Sequence, residues 1–196
     1  MLRSPFARLL DAFARDTRGS ISIEFMVVMP LLLFLTTGGI AFWDAFHSNS
    51  QTAKVAYAVS DIMSRHDAVD DTDMAYLYAV QDKMMPADLD RRSLRISSIC
   101  FEDGQHRVLW SYSSSSADMV PPPPLEDADI PVEALPAMAP QDSVILTEVE
   151  ARWQPYFLNV GLGEKQWRSV LVSRPRFVKI IPHTGLNPSN ICPDAS

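Results

Sequence analysis

The chain has 196 residues, of which 47% are hydrophobic and 21% charged, and its formal net charge is −7. This length is enough for one membrane segment and one modest domain with a buried core. An acidic chain is a poor candidate for nucleic-acid binding, which favours basic surfaces. We therefore expect no nucleic-acid partner.

Charge is unevenly distributed, because residues 1–19 are basic and the remainder is acidic. The charged residues of this leader are Arg3, Arg8, Arg15 and Arg18 against Asp11 and Asp16, a net of +2 that leaves −9 for the rest. Basic residues beside a membrane segment stay on the cytoplasmic side, so the acidic part is expected across the membrane. The leader itself is either an amphipathic helix on the membrane surface or a removable signal.

The next segment is a run of 19 residues without a charge, from Phe25 to Trp43. As a helix it spans roughly 28 Å, close to the hydrocarbon thickness of a bilayer. The alternative, a secretory signal peptide cut near Gly38 and Gly39, fits less well because secretory apolar regions are shorter. We predict one transmembrane helix over residues 20–46.

Three residues around the start of this run form a motif. Gly19 follows the basic leader, Glu24 comes five residues later at the lipid edge, and Phe25 follows directly; Pro30 lies six residues beyond the glutamate. This arrangement resembles a type IV prepilin signal. The Glu-Phe pair and short leader are most similar to the TadE/TadF-like pseudopilins of the tight-adherence (Tad/Flp) pilus system.

The resemblance implies that a prepilin peptidase cuts between Gly19 and Ser20. It also implies that Glu24, Phe25 and Pro30 contact other pilins or pseudopilins and the inner-membrane pilus assembly platform. The expected location is the bacterial inner membrane, with a cytoplasmic N-terminus and a periplasmic domain at 47–196. Entry into a surface pilus stays open.

The function implied is that of a minor pilin or pseudopilin in the assembly or export of an adhesive pilus. One alternative is an ordinary single-pass anchor that presents an acidic binding or sensor domain outside the cytoplasm, without pilin processing. Another is a pseudopilin of type II secretion.

Beyond the membrane, the sequence predicts an α+β domain. The helical pattern continues from Asp44 to His66 without proline or glycine, giving a rod of about 40 residues. The acidic stretch Asp67–Asp73 is expected to be a solvated turn that caps a second helix, Met74–Met85. A calcium loop is disfavoured because the glycine and distal glutamate of an EF-hand are missing.

Alternating apolar residues then predict an antiparallel sheet of about four strands. The strands are Ser93–Phe101, Gln105–Ser111, Val144–Trp153, Gln166–Ser173 and Arg176–Ile181, the last two being one strand bent at Pro175 or two. Asp103 and Gly104 favour a tight hairpin between the first two. The alternation places three groups on common faces: Leu94, Ile96 and Cys100; Val108, Trp110 and Tyr112; and Ile145, Thr147, Val149, Ala151 and Trp153. Glu148 and Glu150 are expected to be solvated.

A proline-rich insert occupies residues 119–140 and contains four successive prolines, Pro121–Pro124. Such a run favours an extended polyproline II conformation that cannot join a sheet centre. We expect a long surface loop, the alternative being a ligand for a polyproline-reading domain.

Cys100 and Cys192 are the chain's two cysteines, both on the predicted oxidising side. We expect them to be bridged; otherwise Cys100 is buried and Cys192 free in a loose tail. His47, His66, His106 and His183 are scattered, and no phosphate loop or nucleophile motif occurs. We therefore expect no catalytic residue, metal or cofactor.

Overall fold

The computed structural model describes residues 20–86, 89, 91–156, 161–187 and 191–192. The predicted leader, including Gly19, lies outside the described residues, and so does part of the carboxyl-terminal tail. The described part confirms the α+β class: a long amino-terminal helix, a second helix and a four-stranded antiparallel sheet.

Helix α1 (Ser20–Met63) is a single element of 44 residues that continues through Pro30. Its outer half packs on the sheet along a row of mostly small residues, which let the helix backbone approach closely. The buried residues of this row are Ala41, Ala45, Ser48, Thr52, Val55, Ala56, Val59, Ser60 and Met63. Their three- and four-residue spacing is that of one helix face, which confirms the predicted rod.

Helix α2 (Asp71–Met84) begins at a capping box in the acidic stretch. The Asp70 Oδ1 atom accepts a hydrogen bond from the Asp73 backbone N–H at 2.9 Å, and Asp73 Oδ2 accepts from the Asp70 N–H at 3.0 Å. These bonds satisfy two donors that a helix start otherwise leaves free. The acidic turn therefore caps the helix as predicted, and the helix begins three residues before the predicted Met74.

The sheet consists of β1 (Arg92–Glu102), β2 (Gln105–Ser115), β3 (Asp142–Trp153) and β4 (Lys165–Ser173), in the order β2-β1-β3-β4. All neighbours are antiparallel. At the hairpin, Asp103 and Gly104 have φ of 50° and 79°. A two-residue hairpin turn requires positive φ at both positions, because only then does the turn match the right-handed twist of the two strands.

The predicted strand Arg176–Ile181 is wrong, since this segment is irregular and crosses the end of α1. The Arg176 backbone N–H donates to the Ser64 carbonyl at 2.9 Å, and the Lys179 carbonyl accepts from Ser143 Oγ at 2.6 Å. Because these main-chain groups bind the end of the helix and a side chain of β3, they are not available for a strand ladder.

A β-bulge corrects one predicted face. Ser98 pairs with Trp110 but Ile99 pairs with Val108, so Leu109 is an extra residue in β2. Val108 consequently packs on the opposite side of the sheet from Trp110, against the prediction. The predicted shared face of Leu94, Ile96 and Cys100 is confirmed, because all three lie in the core beneath the helices.

The sheet has a hydrophobic cluster on each side. On one side α1 and α2 cover the main core, which includes Ile145, Val149, Ala151 and Trp153 as predicted. On the other side the proline-rich insert lies against the sheet. There Leu125 and Ile130 of the insert pack on Ile99, Val144 and Leu146. The insert is therefore not a loose surface loop but the cover of the second sheet face.

Helix α1 runs alongside β4. At the amino-terminal end of the packed half of α1, Trp153 Nε1 donates to Asp44 Oδ2 at 2.7 Å. At the carboxyl-terminal end of the helix, the hydroxyls of Ser60 and Ser173 lie 2.8 Å apart. Asp44 and Ser60 are about 24 Å apart along a helix. Lys165, which pairs with Trp153, is about 26 Å from Ser173 along a strand. The two contacts between α1 and the sheet are thus separated by similar distances along the helix and along β4. The axis of α1 and the direction of β4 are therefore nearly parallel.

Candidate functional site: the exposed half of helix α1

The first half of α1 projects beyond the domain as a free apolar surface. Residues 22–36 are all exposed, including Phe25 at 62% and Met26 at 74%. The helix is long and apolar enough to cross a membrane, and only 6% of its most apolar window is buried within the chain. A helix apolar on all sides without protein cover fits a single-pass membrane anchor.

Polar groups within this half are suited to a lipid environment. The Thr36 and Thr37 hydroxyls donate to the carbonyls of Leu32 and Leu33, at 2.7 and 2.8 Å. Pro30 has no N–H, so the Met26 carbonyl lacks the donor that the residue four positions later normally supplies. In a membrane such an acceptor is satisfied by a neighbouring helix or by local adjustment. Pro30 thus leaves one carbonyl of the exposed half of α1 without its usual backbone donor.

The predicted interaction residues occupy the start of this surface but not one face of it. Glu24 is exposed and lies one turn after Ser20, the first residue of α1. At about 100° per residue, Phe25 is turned by about 100° from Glu24 and Pro30 by about 240°. The three side chains therefore point to different sides of the helix, and one partner helix cannot contact all of them. If they act in assembly, they do so toward more than one neighbour.

The disulfide prediction is confirmed. Cys100 and Cys192 are bonded, with their Cα atoms 5.9 Å apart, and both are buried. The Gln141 side chain also binds the Cys192 backbone: its Oε1 accepts from the Cys192 N–H at 3.2 Å, and its Nε2 donates to the Cys192 carbonyl at 3.3 Å. The bridge joins β1 to the carboxyl-terminal segment, so the alternative of a free Cys192 is wrong.

Glu148 was expected to be solvated, and the structure contradicts this. It is only 4% exposed and lies between Arg95 of β1 and Arg168 of β4, each donating to one of its carboxylate oxygens. Burial by itself would raise the pKa of Glu148, but the two arginine hydrogen bonds outweigh burial and hold that pKa below its ordinary value. Its neighbour Glu150 is half-buried, and its contact with Arg168 is longer at 3.4 Å.

His183, one of the four histidines that are scattered in the sequence, is also buried in the structure. It is fully buried beside Trp110, with ring centroids 5.4 Å apart. Its Nδ1 accepts from the backbone N–H groups of Gly185 and Leu186 at 3.2 and 3.1 Å. An acceptor Nδ1 places the hydrogen of the neutral ring on Nε2, which faces Asp71 Oδ1 at 3.6 Å. The ring thus fixes the tail on the core. In the described part of the chain, no group of three or more His, Cys, Asp or Glu residues could hold a metal.

Comparison with known proteins supports the resemblance seen in the sequence. Residues 19–61 match the family model described as TadE-like protein. The match covers Gly19 and nearly all of α1, which includes the whole exposed half, while the sheet domain lies beyond it. No curated protein and no solved structure matches the chain significantly.

Proposed function

We propose that this chain, whose residues 19–61 match the TadE-like family model, is a minor pilin or pseudopilin that acts in assembly or export of a Tad-type pilus. The observation that carries the proposal is the exposed apolar helix with Glu24 one turn after Ser20. Such a helix suits lateral packing against similar helices, and it leaves the sheet domain free to be presented outside the membrane.

Processing by a prepilin peptidase would give Glu24 a counter-ion. Cleavage after Gly19 creates an α-ammonium group on Ser20, and an ammonium and a carboxylate that are removed from water together attract strongly, whereas either alone is costly. Glu24 of one copy pairs in this arrangement with the ammonium group of a neighbouring subunit. Because the pair forms at one relative height, it fixes the axial register between helices.

The orientation that goes with this function follows from charge. The basic leader stays in the cytoplasm and residues 47–196 lie in the periplasm. The partners are the prepilin peptidase, other pilins or pseudopilins and the inner-membrane assembly platform. The chain acts by binding these partners and not by catalysis.

The competing function is that of a plain anchor for an acidic binding domain. The same exposed helix serves an anchor, and in that case Glu24 has no counter-ion. Replacing it would then slightly favour insertion and affect nothing else. The two functions therefore differ in what Glu24 is needed for.

Glu24→Gln is expected to leave membrane insertion and domain folding intact while reducing capture of partner pilins at least about tenfold, because the desolvated ion pair is lost. Crosslinking to partner pilins and a pilus count, in wild type and variant, measure the effect. Asp67→Asn is the matched control, because it removes an exposed carboxylate outside the membrane segment. Unchanged partner capture and piliation in Glu24→Gln would contradict the proposed role.

A further inference from the structure

One end of the sheet domain lies beside the point where the exposed half of α1 begins. Trp153, the last residue of β3, is bonded to Asp44, the first charged residue after the uncharged run. Lys165, which pairs with Trp153, starts β4, and β4 runs in the same direction as α1. The β3–β4 loop, of which residues 154–156 and 161–164 are described, therefore lies beyond Asp44 on the side of the exposed half.

With α1 across a bilayer, the domain reaches the boundary of the hydrocarbon. The uncharged run spans roughly 28 Å and the hydrocarbon about 30 Å, so the end of the run at Trp43 marks that boundary. Ala41 lies about 3 Å inside it along the helix and is only 3% exposed. An alanine on a free helix stays largely exposed, so another part of the chain covers Ala41. On this side of α1, protein contacts the helix at the depth where lipid would otherwise do so.

The opposite side of α1 carries exposed aromatic rings at the same level. Phe42, Trp43 and Phe46 are 53%, 66% and 67% exposed. At about 100° per residue, Trp43 and Phe46 point at least 100° away from the buried Ala41 and Ala45. Amphipathic aromatic side chains are enriched where membrane helices leave the hydrocarbon. The free side of the helix thus has the composition of an interfacial surface.

The β3–β4 loop carries an exposed aromatic residue on the packed side. Pro155 is buried and Leu162 packs half-buried against the main core, which fixes the loop on the domain. Tyr156 follows Pro155 directly but is 68% exposed. A tyrosine suits a membrane interface, because its ring finds an apolar environment there while its hydroxyl stays wet. Packing within the domain explains Pro155 and Leu162 but not the exposure of the Tyr156 ring.

We propose that this end of the sheet domain binds the interfacial layer of the bilayer. We name this surface the interfacial rim; it consists of the β3–β4 loop with Tyr156 and of Phe42, Trp43 and Phe46 on α1. The partner is lipid because the rim continues the exposed half of α1 and lies at the depth where that half ends. The headgroup layer is about 5–7 Å thick on each side of the hydrocarbon. Tyr156 is at most about 10 Å from Trp153 along the chain, within reach of that layer.

Binding of lipid by the interfacial rim fixes how the domain stands on the membrane. Because α1 and β4 are nearly parallel, the strands stand upright on the bilayer. The β1–β2 hairpin at Asp103 and Gly104 is then at the far end, since β1 starts beside Ala151 and runs away from the rim. This inference goes beyond the proposed pilus function. It requires only that α1 spans a membrane, and it does not depend on Glu24.

Spin labels measure the depth of the loop in the full chain, reconstituted in nanodiscs at one chain per disc. Tyr156→Cys and Tyr57→Cys each add a single labelling site, because the two native cysteines are joined to each other. The label at 156 should lie within about 7 Å of the hydrocarbon boundary, open to oxygen and protected from a water-soluble nickel chelate. Tyr57 is the matched control, a tyrosine of similar exposure at 63% on α1. It is about 21 Å beyond Trp43 along the helix, so its label should be open to the chelate.

Equal access of the chelate to the two labels would overturn the proposal. Protection of the label at 156 from oxygen as well as from the chelate would also overturn it, because that result means cover by protein and not by lipid. With one chain per disc, a second copy cannot protect the label in place of lipid.

A photoreactive phosphatidylcholine, with its reactive group near the glycerol end of the acyl chain, gives a readout in the unmodified chain. After illumination and trypsin digestion, lipid should be attached to peptide 153–165 at or next to Tyr156, and to the peptide that contains Trp43. Peptide 55–65, which contains Tyr57, is the control and should carry none. Lipid on the Trp43 peptide alone would show a spanning helix with the domain clear of the bilayer, and would contradict the proposal. Neither experiment bears on Glu24, which lies at the other end of the uncharged run.

Discussion

Replacing both cysteines with serine is expected to lower the free energy of unfolding of the sheet domain by about 4–5 kcal/mol. The bridge joins residues 92 positions apart, and without it the unfolded chain regains the entropy of that large loop. Both sulfur atoms are buried, so serine hydroxyls at Cys100 and Cys192 add a desolvation cost. A domain of this size is stable by only about 5–15 kcal/mol, so about a third or more of its stability would be lost.

Denaturant unfolding followed by tryptophan fluorescence measures this effect, because Trp110 and Trp153 are buried. A reductant should lower the wild-type midpoint toward that of the double variant and leave the double variant unchanged. Equal midpoints for the wild type and the variant would mean that the bridge does not stabilise the domain.

The second large effect is expected from Glu148→Gln, which should destabilise the domain by about 3 kcal/mol at pH 7. Neutralising the buried carboxylate leaves Arg95, itself mostly buried, without its charged partner. Arg168 is half-exposed and recovers water, so the loss stays below that of a fully buried triad. Because Arg95 also donates a hydrogen bond to the Pro123 carbonyl, the proline-rich insert should be held less firmly on the sheet.

The Glu148 effect has a defined pH dependence. The pKa of the folded carboxyl is lowered, so its stabilisation is complete above the unfolded pKa and disappears as the pH falls through the folded one. The difference in the free energy of unfolding between wild type and Glu148→Gln should therefore become smaller as the pH falls below the ordinary pKa of a glutamate. Urea unfolding at several pH values measures this difference.

Glu150→Gln is the matched control, since it neutralises the neighbouring carboxylate of the same strand, which is half-buried with a longer contact. This substitution should lower the free energy of unfolding by less than about 1 kcal/mol. Equal effects of the two substitutions would contradict the assignment of the buried pair to Glu148.

The sequence predicted what depends on local pattern. The length of α1 follows from an unbroken run of helical periodicity, the start of α2 from an acidic cap, and the first hairpin from Asp103 and Gly104. Strand alternation also assigned Val149 and Trp153 to the core. Each of these features is determined by neighbours within a few residues, so a single sequence is sufficient.

The features that were missed depend on contacts between distant segments. Glu148 is buried because the registers of β1 and β4 bring Arg95 and Arg168 to either side of it, and alternation alone does not give register. The β-bulge that places Val108 on the opposite face of the sheet from Trp110 is likewise a property of strand pairing. Segment 176–181 has a strand-like composition but finds its backbone partners at the end of α1 and on β3.

The candidate site was predicted for the same local reason as the helix. Glu24, Phe25 and Pro30 are recognisable because the apolar run isolates them, and the structure adds that they point to different sides of α1.

The most direct test of the central claim is the amino-terminal sequence of the chain extracted from membranes of cells with an active prepilin peptidase. A TadE-like pseudopilin processed after Gly19 should begin at Ser20 and have 177 residues. Gly19→Val should block this cut, because a branched side chain does not fit a pocket shaped for glycine, and the leader should then remain. A mature chain that still begins at Met1 would contradict pilin-type processing and leave the chain as a plain membrane anchor.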